Sequence, residues 1–284
     1  MAAPSNNLVT THWLADKLGS ANVAVLDASR HLPAAKRDPR AEFEAGHIPS
    51  ARFLDLASWC DTTSEVPAAL PNAAQVAERL AALGVTADAT IILYDDSGVK
   101  TAARAWFTLR AHGVENVAIL DGGLTKWRAD GLPLESGTAD IDPAPAAQLP
   151  AAQNVVFKTD MLANIESCAH QVLDARGADR VFGLGIDPVH GGQNGRIPGS
   201  LNLPFGEVFT ADGTFKSPTE LRETFAAAGV DPSRPLITTC GSGVTACVLL
   251  FAAHLAGITD TKLYDGSWME WESDPDMPKK QGPA

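Results

Sequence analysis

Long apolar runs, basic residues and cysteines are all scarce in this sequence. No apolar run reaches the ~18 residues that a membrane-spanning helix needs, and the first residues lack the basic and apolar regions of a secretory signal. Acidic residues outnumber basic ones by 34 to 22, which gives a net charge of −12 and disfavours nucleic acid or an anionic membrane as a partner. We therefore expect a cytoplasmic protein that binds neither nucleic acid nor membrane.

The four cysteines, Cys60, Cys168, Cys240 and Cys247, are too few for a disulfide framework in a chain of 284 residues. None of them forms a Cys-x-x-Cys pair, so the sequence predicts neither a zinc site nor a dithiol redox motif. We expect no metal and no organic cofactor.

Four sequence segments occur twice, in the same order, along the chain. They are the segments around Asp27 and Asp174, the Ile-Pro pairs after His47 and Arg196, the loops that begin at Asp95 and Cys240, and the Asp-Gly-Gly and Asp-Gly-Ser segments at Asp121 and Asp265. Matched residues are nearly equally spaced: 147 residues separate Asp27 from Asp174, 145 separate Asp95 from Cys240, and 144 separate Asp121 from Asp265. Ordered matches at nearly one offset indicate a tandem duplication.

The chain is therefore predicted to form two domains. A segment rich in proline, alanine and glycine separates the copies and has the composition of a linker. We place the first domain at residues 1–137, the linker at 138–152 and the second domain at 153–284.

Within each copy, short apolar runs alternate with amphipathic stretches. The predicted strands are Val23–Leu26, Ile91–Tyr94, Val117–Leu120, Val172–Leu173, Leu236–Thr239 and Lys262–Tyr264. The predicted helices are Ala73–Leu83, Lys100–Ala111, Pro218–Ala228 and Val244–Ala256. Strands that are apolar throughout are typical of a sheet buried on both faces, and strand–helix alternation indicates βαβ units. The predicted fold class is α/β, with two tandem domains that each contain a mainly parallel sheet flanked by helices.

Cys240 lies where such a fold binds ligands, because it follows a predicted strand and precedes a helix. The loop comprises Cys240, Gly241, Ser242, Gly243, Val244 and Thr245. Its glycines permit a tight turn with inward-facing amides, and the next helix contributes its positive N-terminal end. We expect this environment to stabilise a thiolate. The alternative is that Cys240 is a small buried apolar residue.

The other candidates for sulfur chemistry are weaker. Cys247 lies inside an apolar helix and is expected to pack there. Asp95 replaces Cys240 in the first copy, and a carboxylate cannot act as a sulfur-accepting nucleophile. The second copy alone is therefore predicted to be catalytic.

These features together resemble the two-domain rhodaneses. The resemblance extends from about Leu8 to Pro278 and rests on the duplication, Asp95 and Cys240 in the two loops, and the repeated Ile-Pro and Asp-Gly segments. The loop Cys-Gly-Ser-Gly-Val-Thr is similar to the 3-mercaptopyruvate sulfurtransferase branch, whereas thiosulfate sulfurtransferases usually carry Cys-Arg-Lys-Gly-Val-Thr. The resemblance implies that Cys240 takes sulfur from 3-mercaptopyruvate as a persulfide and releases pyruvate. It further implies an acceptor that is a thiol, thioredoxin among them, or cyanide.

The resemblance also implies a proton relay. Ser242 would hydrogen-bond the sulfur, with His47 and Asp38 completing a Ser-His-Asp arrangement. The alternatives are a turn-forming serine for Ser242, a turn-stabilising histidine for His47 and a solvated charge for Asp38.

In the family, two arginines bind the donor carboxylate. Arg180 matches the first, and its guanidinium suits a planar carboxylate. No arginine matches the second, so either His190 or Arg196 is expected to replace it. For Arg176 and Arg30, which follow predicted strands, we expect structural ion pairs.

Three other functions remain to be weighed. A cysteine phosphatase needs Cys-x5-Arg, and the residue six positions after Cys240 is Ala246, which makes that function a poor match. Thiosulfate as the donor is opposed, but not excluded, by the absence of cations at Gly241 and Ser242. A redox-sensing or binding module on the same scaffold is the non-enzymatic alternative.

Overall fold

The computed structural model describes residues 7–138 and 140–282 and divides into two compact units. Unit 1 comprises residues 7–61, Leu70–Gln153 and Ala211–Thr214. Unit 2 comprises Thr62–Ala69, Asn154–Thr210 and residues 215–282. Within the described ranges, no helix is long and apolar enough to cross a membrane.

Unit 1 contains a five-stranded parallel sheet with the strand order β1-β5-β4-β2-β3. Its strands are β1 (Leu8–Val9), β2 (Val23–Asp27), β3 (Arg52–Phe53), β4 (Thr90–Tyr94) and β5 (Val117–Leu120). Its helices are α1 (Thr11–Ala15), α2 (Pro39–Ala45), α3 (Ala73–Ala82), α4 (Ala102–Ala111) and α5 (Gly123–Ala129).

Unit 2 repeats this architecture, with the strand order β6-β10-β9-β7-β8. Its strands are β6 (Val155–Val156), β7 (Gln171–Asp174), β8 (Leu201–Asn202), β9 (Leu236–Thr239) and β10 (Thr261–Tyr264). Its helices are α6 (Lys158–Ser167), α7 (Ala178–Val181), α8 (Pro218–Ala227), α9 (Ala246–Ala256) and α10 (Ser267–Ser273). The predicted fold class is confirmed in both units.

The sheet of unit 2 is built around β9. This strand is buried throughout and pairs with β7 on one side and β10 on the other, with Leu236 opposite both Gln171 and Thr261. Helix α9 covers it with a largely buried apolar sequence, which includes Leu249, Leu250 and Phe251. Because β9 is central, the residue after its carboxyl end lies at the middle of the sheet edge, where parallel α/β sheets bind ligands.

The proposed linker has no helix or strand among its described residues. It is hydrogen-bonded to unit 1: the Ala144 amide donates to Ala81 O at 2.9 Å, and His112 Nδ1 bonds Pro150 O at 2.8 Å.

The two sheets differ at the end of their second strand. Asp174 pairs with the buried Arg176, whereas the corresponding Asp27 has Ser29 two residues later. Asp27 is 2% exposed, and burial raises its pKa to about 6, although hydrogen bonds from Ser29 act in the opposite direction. Burying this carboxyl group without a cation therefore destabilises the ionised form.

We expect Asp27→Asn to stabilise unit 1 at neutral pH. Because the folded pKa of about 6 lies above the unfolded value of 3.8, stability falls as pH rises between these values and the loss is complete above them. The variant lacks this loss, so its free energy of unfolding at pH 7 exceeds that of wild type by on the order of 3 kcal/mol, and the gain vanishes below the unfolded pKa of 3.8. Chemical denaturation at several pH values measures the difference.

Asp174→Asn is the matched control for this experiment. It removes the carboxylate that hydrogen-bonds the buried Arg176 and leaves, among the described residues, only Asp187, 3.9 Å away, so we expect it to destabilise unit 2 at pH 7. No gain in stability for Asp27→Asn at pH 7 would show that Asp27 is not an uncompensated buried acid.

Candidate functional site

Cys240 begins the loop that joins the central strand β9 to α9. It is 1% exposed, and the helix begins six residues later at Ala246. Gly243 has φ +74°, a left-handed conformation that glycine adopts without strain and that turns the chain towards α9. Cys240 therefore lies between a strand and a helix, at the start of a turn, as the sequence predicts.

One hydroxyl group holds the two ends of this turn. The amides of Cys240 and Gly243 each donate to Ser267 Oγ at 3.1 Å, and Ser267 Oγ donates to Tyr264 O at 2.9 Å. Ser267 is fully buried. In the sequence it stood out only as the last residue of the repeated Asp-Gly segment, so sequence reasoning missed its contact with the cysteine loop.

The first turn of α10 binds the loop through its backbone as well. The Trp268 amide donates to Cys240 O at 3.0 Å, and the Met269 amide donates to Gly241 O at 2.9 Å. Two adjacent peptide groups of the loop are thereby fixed by α10.

Three other amides of the loop have no acceptor in the described part of the chain. The expected ring of inward amides is only partly present, because two of them are bound to Ser267 Oγ. Among the residues that the structure describes, the amides of Gly241, Ser242 and Val244 form no hydrogen bond. Peptide N–H groups without a protein acceptor can stabilise a thiolate or persulfide anion.

Unit 1 indicates where such amides point. Its corresponding loop begins at Asp95, whose carboxylate accepts from the amides of Ser97 and Ala102, both at 2.8 Å. Ser97 is the counterpart of Ser242. In unit 1, the turn thus aims the amide of its third residue at the side chain of its first residue. Burial nevertheless raises the pKa of Asp95, despite these hydrogen bonds.

Cys247 has a different environment. It is fully buried in α9, and its thiol donates to Gly243 O at 3.1 Å. It lies among the apolar residues of the helix, as the sequence predicts for a packing cysteine.

A guanidinium and an imidazole lie against the cysteine loop. A methyl group at position 241 would overlap His190 Nε2 and would lie 3.2 Å from Arg180 Nη2. The absence of a side chain at Gly241 is therefore what allows both residues to approach the residue next to Cys240. Of the two candidates for the second anion-binding side chain, His190 is the one that lies at the loop.

Asp187 orients Arg180. Arg180 Nε and Nη2 donate to the two carboxylate oxygens of Asp187 at 2.9 and 2.7 Å, and the Val189 amide donates at 2.8 Å. Burial raises the pKa of Asp187, but the hydrogen bonds and charge of Arg180 outweigh it and hold that pKa below its usual value. Asp187 thus remains ionised at neutral pH and fixes the guanidinium plane.

Arg176 forms the structural ion pair that the sequence predicts. Its Nη2 donates to Asp174 Oδ2 at 2.6 Å and to Gly195 O at 2.7 Å. Its guanidinium lies 4.8 Å from the ring centre of Trp268, so the pair supports the start of α10.

Arg196 is bound elsewhere in unit 2. It is 3% exposed, its Nη1 donates to Gly282 O at 2.8 Å, and its guanidinium stacks on Phe182 at 4.7 Å. These contacts fix the C-terminal segment, so the structure does not bring Arg196 to Gly241 as it does His190.

A cavity of about 280 Å³ adjoins the site. His190, Trp268 and Met269 line it together with the carboxylates of Asp187, Glu270 and Glu272. The cavity is large enough for a small organic molecule and has an acidic wall. No cluster of three or more potential metal ligands occurs among the described residues.

A family model for the rhodanese-like domain matches residues 10–130 and again residues 158–274. The chain belongs to the rhodanese family. The two matches fall on the two copies of the repeat, which confirms the predicted tandem organisation.

Curated relatives align along nearly the whole of this rhodanese. The 3-mercaptopyruvate sulfurtransferase of Mus musculus is 42% identical over 279 residues, covering 95% of this chain and 94% of the relative. The thiosulfate sulfurtransferase of Rattus norvegicus is 39% identical over 273 residues, covering 93% and 91%. Among solved structures, SseA from Escherichia coli, a 3-mercaptopyruvate sulfurtransferase, has a TM-score of 0.81 at 38% identity and covers 92% of this chain and 98% of that one.

The expected relay residues of this rhodanese have the following places. Ser242 is half-buried in the cysteine loop of unit 2. In unit 1, His47 is 2% exposed and stacks on Phe43 at 3.9 Å, and its Nδ1 lies 2.7 Å from Phe43 O. A carbonyl oxygen only accepts, so Nδ1 carries the proton and a neutral His47 presents Nε2 as an acceptor.

Asp38 is the N-cap of α2. Its Oδ1 accepts from the amides of Arg40 and Ala41 at 3.0 and 3.1 Å. Since His47 Nδ1 is bound to Phe43 O, the hydrogen bond that a relay requires between His47 and Asp38 is not formed among the described contacts. Capping is the role that the structure gives Asp38.

Proposed function

We propose that this rhodanese transfers sulfur from 3-mercaptopyruvate to a thiol acceptor through a persulfide on Cys240. The observation that carries the proposal is the position of Cys240. It begins a turn with unpaired amides at the centre of the sheet edge, with Arg180 and His190 against the adjacent Gly241.

The reaction needs no oxidant from outside. The Cys240 thiolate attacks the sulfur of 3-mercaptopyruvate, an S–S bond forms, and the C–S bond breaks with its electron pair left on carbon. The resulting enolate takes a proton and leaves as pyruvate. An acceptor thiolate then attacks the outer sulfur and restores the Cys240 thiolate while it becomes a persulfide itself.

Arg180 is proposed to bind the donor carboxylate. Asp187 occupies its Nε and one hydrogen of Nη2, whereas Nη1 makes no hydrogen bond among the described residues. The guanidinium is therefore fixed in position and retains donors for an anion. His190, which approaches the same glycine, is proposed to bind the carboxylate or keto oxygen in place of the family's second arginine.

The proposed donor rests on charge, because sequence identity does not decide it. The chain is 42% identical to a 3-mercaptopyruvate sulfurtransferase and 39% identical to a thiosulfate sulfurtransferase. Thiosulfate is a dianion, and Gly241 and Ser242 offer it no positive charge. The carboxylates of Asp187, Glu270 and Glu272 line the adjoining cavity and would repel a dianion more than a monoanion. A monoanionic keto acid is therefore the better match.

The three residues of the proposed Ser242–His47–Asp38 relay have different support. Ser242 is close in sequence to the sulfur, and the protonation of His47 at Nδ1 leaves Nε2 able to accept a proton. Asp38 would act through α2, as the cap of the helix that leads to His47, and not as a direct acceptor from His47.

The acceptor is proposed to be a small thiol, the thiol of a thioredoxin, or cyanide. The cytoplasmic location is likewise part of the proposal, and fractionation of cells that express the full chain would test it.

A comparison of donors tests the proposed function. Purified protein should release pyruvate from 3-mercaptopyruvate with a kcat/KM well above that for sulfite release from thiosulfate, about tenfold or more if one uncompensated charge separates the donors. Cys240→Ser should abolish both activities, whereas Cys247→Ser should retain most of the first. A preference for thiosulfate would replace the donor, and turnover by Cys240→Ser would refute the mechanism.

A second prediction concerns Gly241. We expect Gly241→Ala to displace His190 and shift Arg180, because the added methyl group would overlap His190 Nε2. The KM for 3-mercaptopyruvate should then rise about tenfold, since an anion contact is worth roughly 1–2 kcal/mol. Gly206→Ala is the matched control, because a methyl group there would meet no atom within 4 Å. Equal KM values for the two variants would place the carboxylate site elsewhere.

A further inference from the structure

We propose that Ser267 is a positioning residue for sulfur transfer: its hydroxyl holds the Cys240 turn in the shape that directs the free loop amides at the sulfur. This inference rests on the proposed function, because the positioned thiol is the one that would carry sulfur. It adds a residue from α10 to a site otherwise built from the loop after β9 and from Arg180 and His190.

The hydrogen bonds of Ser267 define the turn. A single oxygen accepts from the amides of Cys240 and Gly243 at 3.1 Å each, so the first and fourth residues of the loop are drawn to one point. The amides between them, of Gly241 and Ser242, form no hydrogen bond among the described residues. A fixed turn whose inner amides stay unpaired is preorganised for an anion at the Cys240 side chain.

The hydroxyl is itself fixed by its surroundings. Ser267 is fully buried, and its Oγ donates to Tyr264 O at 2.9 Å, which leaves the oxygen lone pairs directed at the two loop amides. Tyr264 is the last residue of β10, the neighbour of β9 in the sheet. The turn is therefore tied to the rigid sheet through one serine.

The backbone of Ser267 is strained for a serine. Its φ is +53°, in the left-handed region that favours glycine. At the corresponding place in unit 1 the chain has Gly123, with φ +58°. A serine therefore occupies a position that the backbone suits to glycine, which is understandable if its hydroxyl contributes something that glycine lacks.

Unit 1 supplies the contrast. Asp95 O accepts from the Leu124 amide at 3.1 Å, just as Cys240 O accepts from the Trp268 amide at 3.0 Å, so the two loops meet the following helix in the same way. In unit 1 the Asp95 carboxylate itself ties the turn, through the Ser97 and Ala102 amides. A thiolate that must react cannot serve as a permanent tie. In unit 2, Ser267 Oγ instead holds two other amides of the loop, those of Cys240 and Gly243, from outside it.

The experiment compares three variants of the full-length protein: Ser267→Gly, Ser267→Ala and Ser217→Ala. Ser267→Gly removes the hydroxyl and relieves the left-handed φ, so it keeps the fold even if Ser267→Ala does not. Ser217→Ala removes the N-cap hydroxyl of α8 in the same unit and serves as a control for destabilisation alone. The readouts are the pH midpoint of iodoacetamide alkylation, the kcat with 3-mercaptopyruvate and the thermal midpoint.

Alkylation is followed at Cys240 by fragment-ion mass spectrometry, so that Cys60, Cys168 and Cys247 do not contribute. We expect both Ser267 variants to raise the pH midpoint of Cys240 alkylation by about one unit, because a loosened turn stabilises the thiolate less. We expect their kcat to fall about tenfold or more. Ser217→Ala should lower the thermal midpoint and leave the other two quantities unchanged.

The inference would be overturned if Ser267→Gly kept the wild-type pH midpoint, or if Ser217→Ala shifted that midpoint as much as the Ser267 variants do. The alkylation measurement uses no sulfur donor. It therefore tests the role of Ser267 even if the donor proves to be a compound other than 3-mercaptopyruvate. In that case the wild-type protein shows no turnover of 3-mercaptopyruvate, and the alkylation result still holds.

Discussion

The candidate site depends on how the peptide amides of one short turn are shared. A buried amide must find an acceptor, and an anion at Cys240 needs some of those same amides. In unit 2 the amides of Cys240 and Gly243 go to Ser267 Oγ, and those of Gly241 and Ser242 form no bond among the described residues. That division gives the turn a fixed shape and still leaves donors for sulfur.

The duplicated scaffold reaches two different solutions to this constraint. In unit 1, the buried Asp95 carboxylate accepts from the amides of Ser97 and Ala102, and Ser29 Oγ accepts from the Asp96 amide. In unit 2 the first loop residue is a thiol, and the tie comes from α10. The arginine network follows the same division, because unit 2 pairs Asp174 with Arg176 whereas unit 1 leaves Asp27 without a cation.

The sequence predicted the fold and the cysteine loop well, because both follow from local patterns. Every predicted strand and helix occurs within two residues of its expected bounds. The edge strands β1, β3, β6 and β8 were not predicted, since each has only two residues and too few apolar positions to show a period. Cys240 was identifiable because strand, cysteine and glycine turn are consecutive.

Contacts between distant segments were harder to predict from the sequence. The sequence could not choose between His190 and Arg196, which differ in the segments they approach: Gly241 for one and Gly282 for the other. The Asp38-Pro39 pair is a sequence signal for a helix start, so the capping role of Asp38 could have been predicted. The contact of His47 Nδ1 with Phe43 O could not, since it depends on how the chain leaves α2. Ser267 differs visibly from the first copy, which has glycine at this position. The sequence does not show that its hydroxyl binds the amides of Cys240 and Gly243, which only the fold brings next to it.

The measurement that tests this account most directly is the position of added sulfur after the protein reacts with 3-mercaptopyruvate in the absence of an acceptor thiol, located by fragment-ion mass spectrometry that separates Cys240 from Cys247. The account predicts one additional sulfur atom on Cys240, removable by cyanide, and none on Cys247. Pyruvate release with an unmodified Cys240 peptide, or sulfur bound at another cysteine, would contradict it.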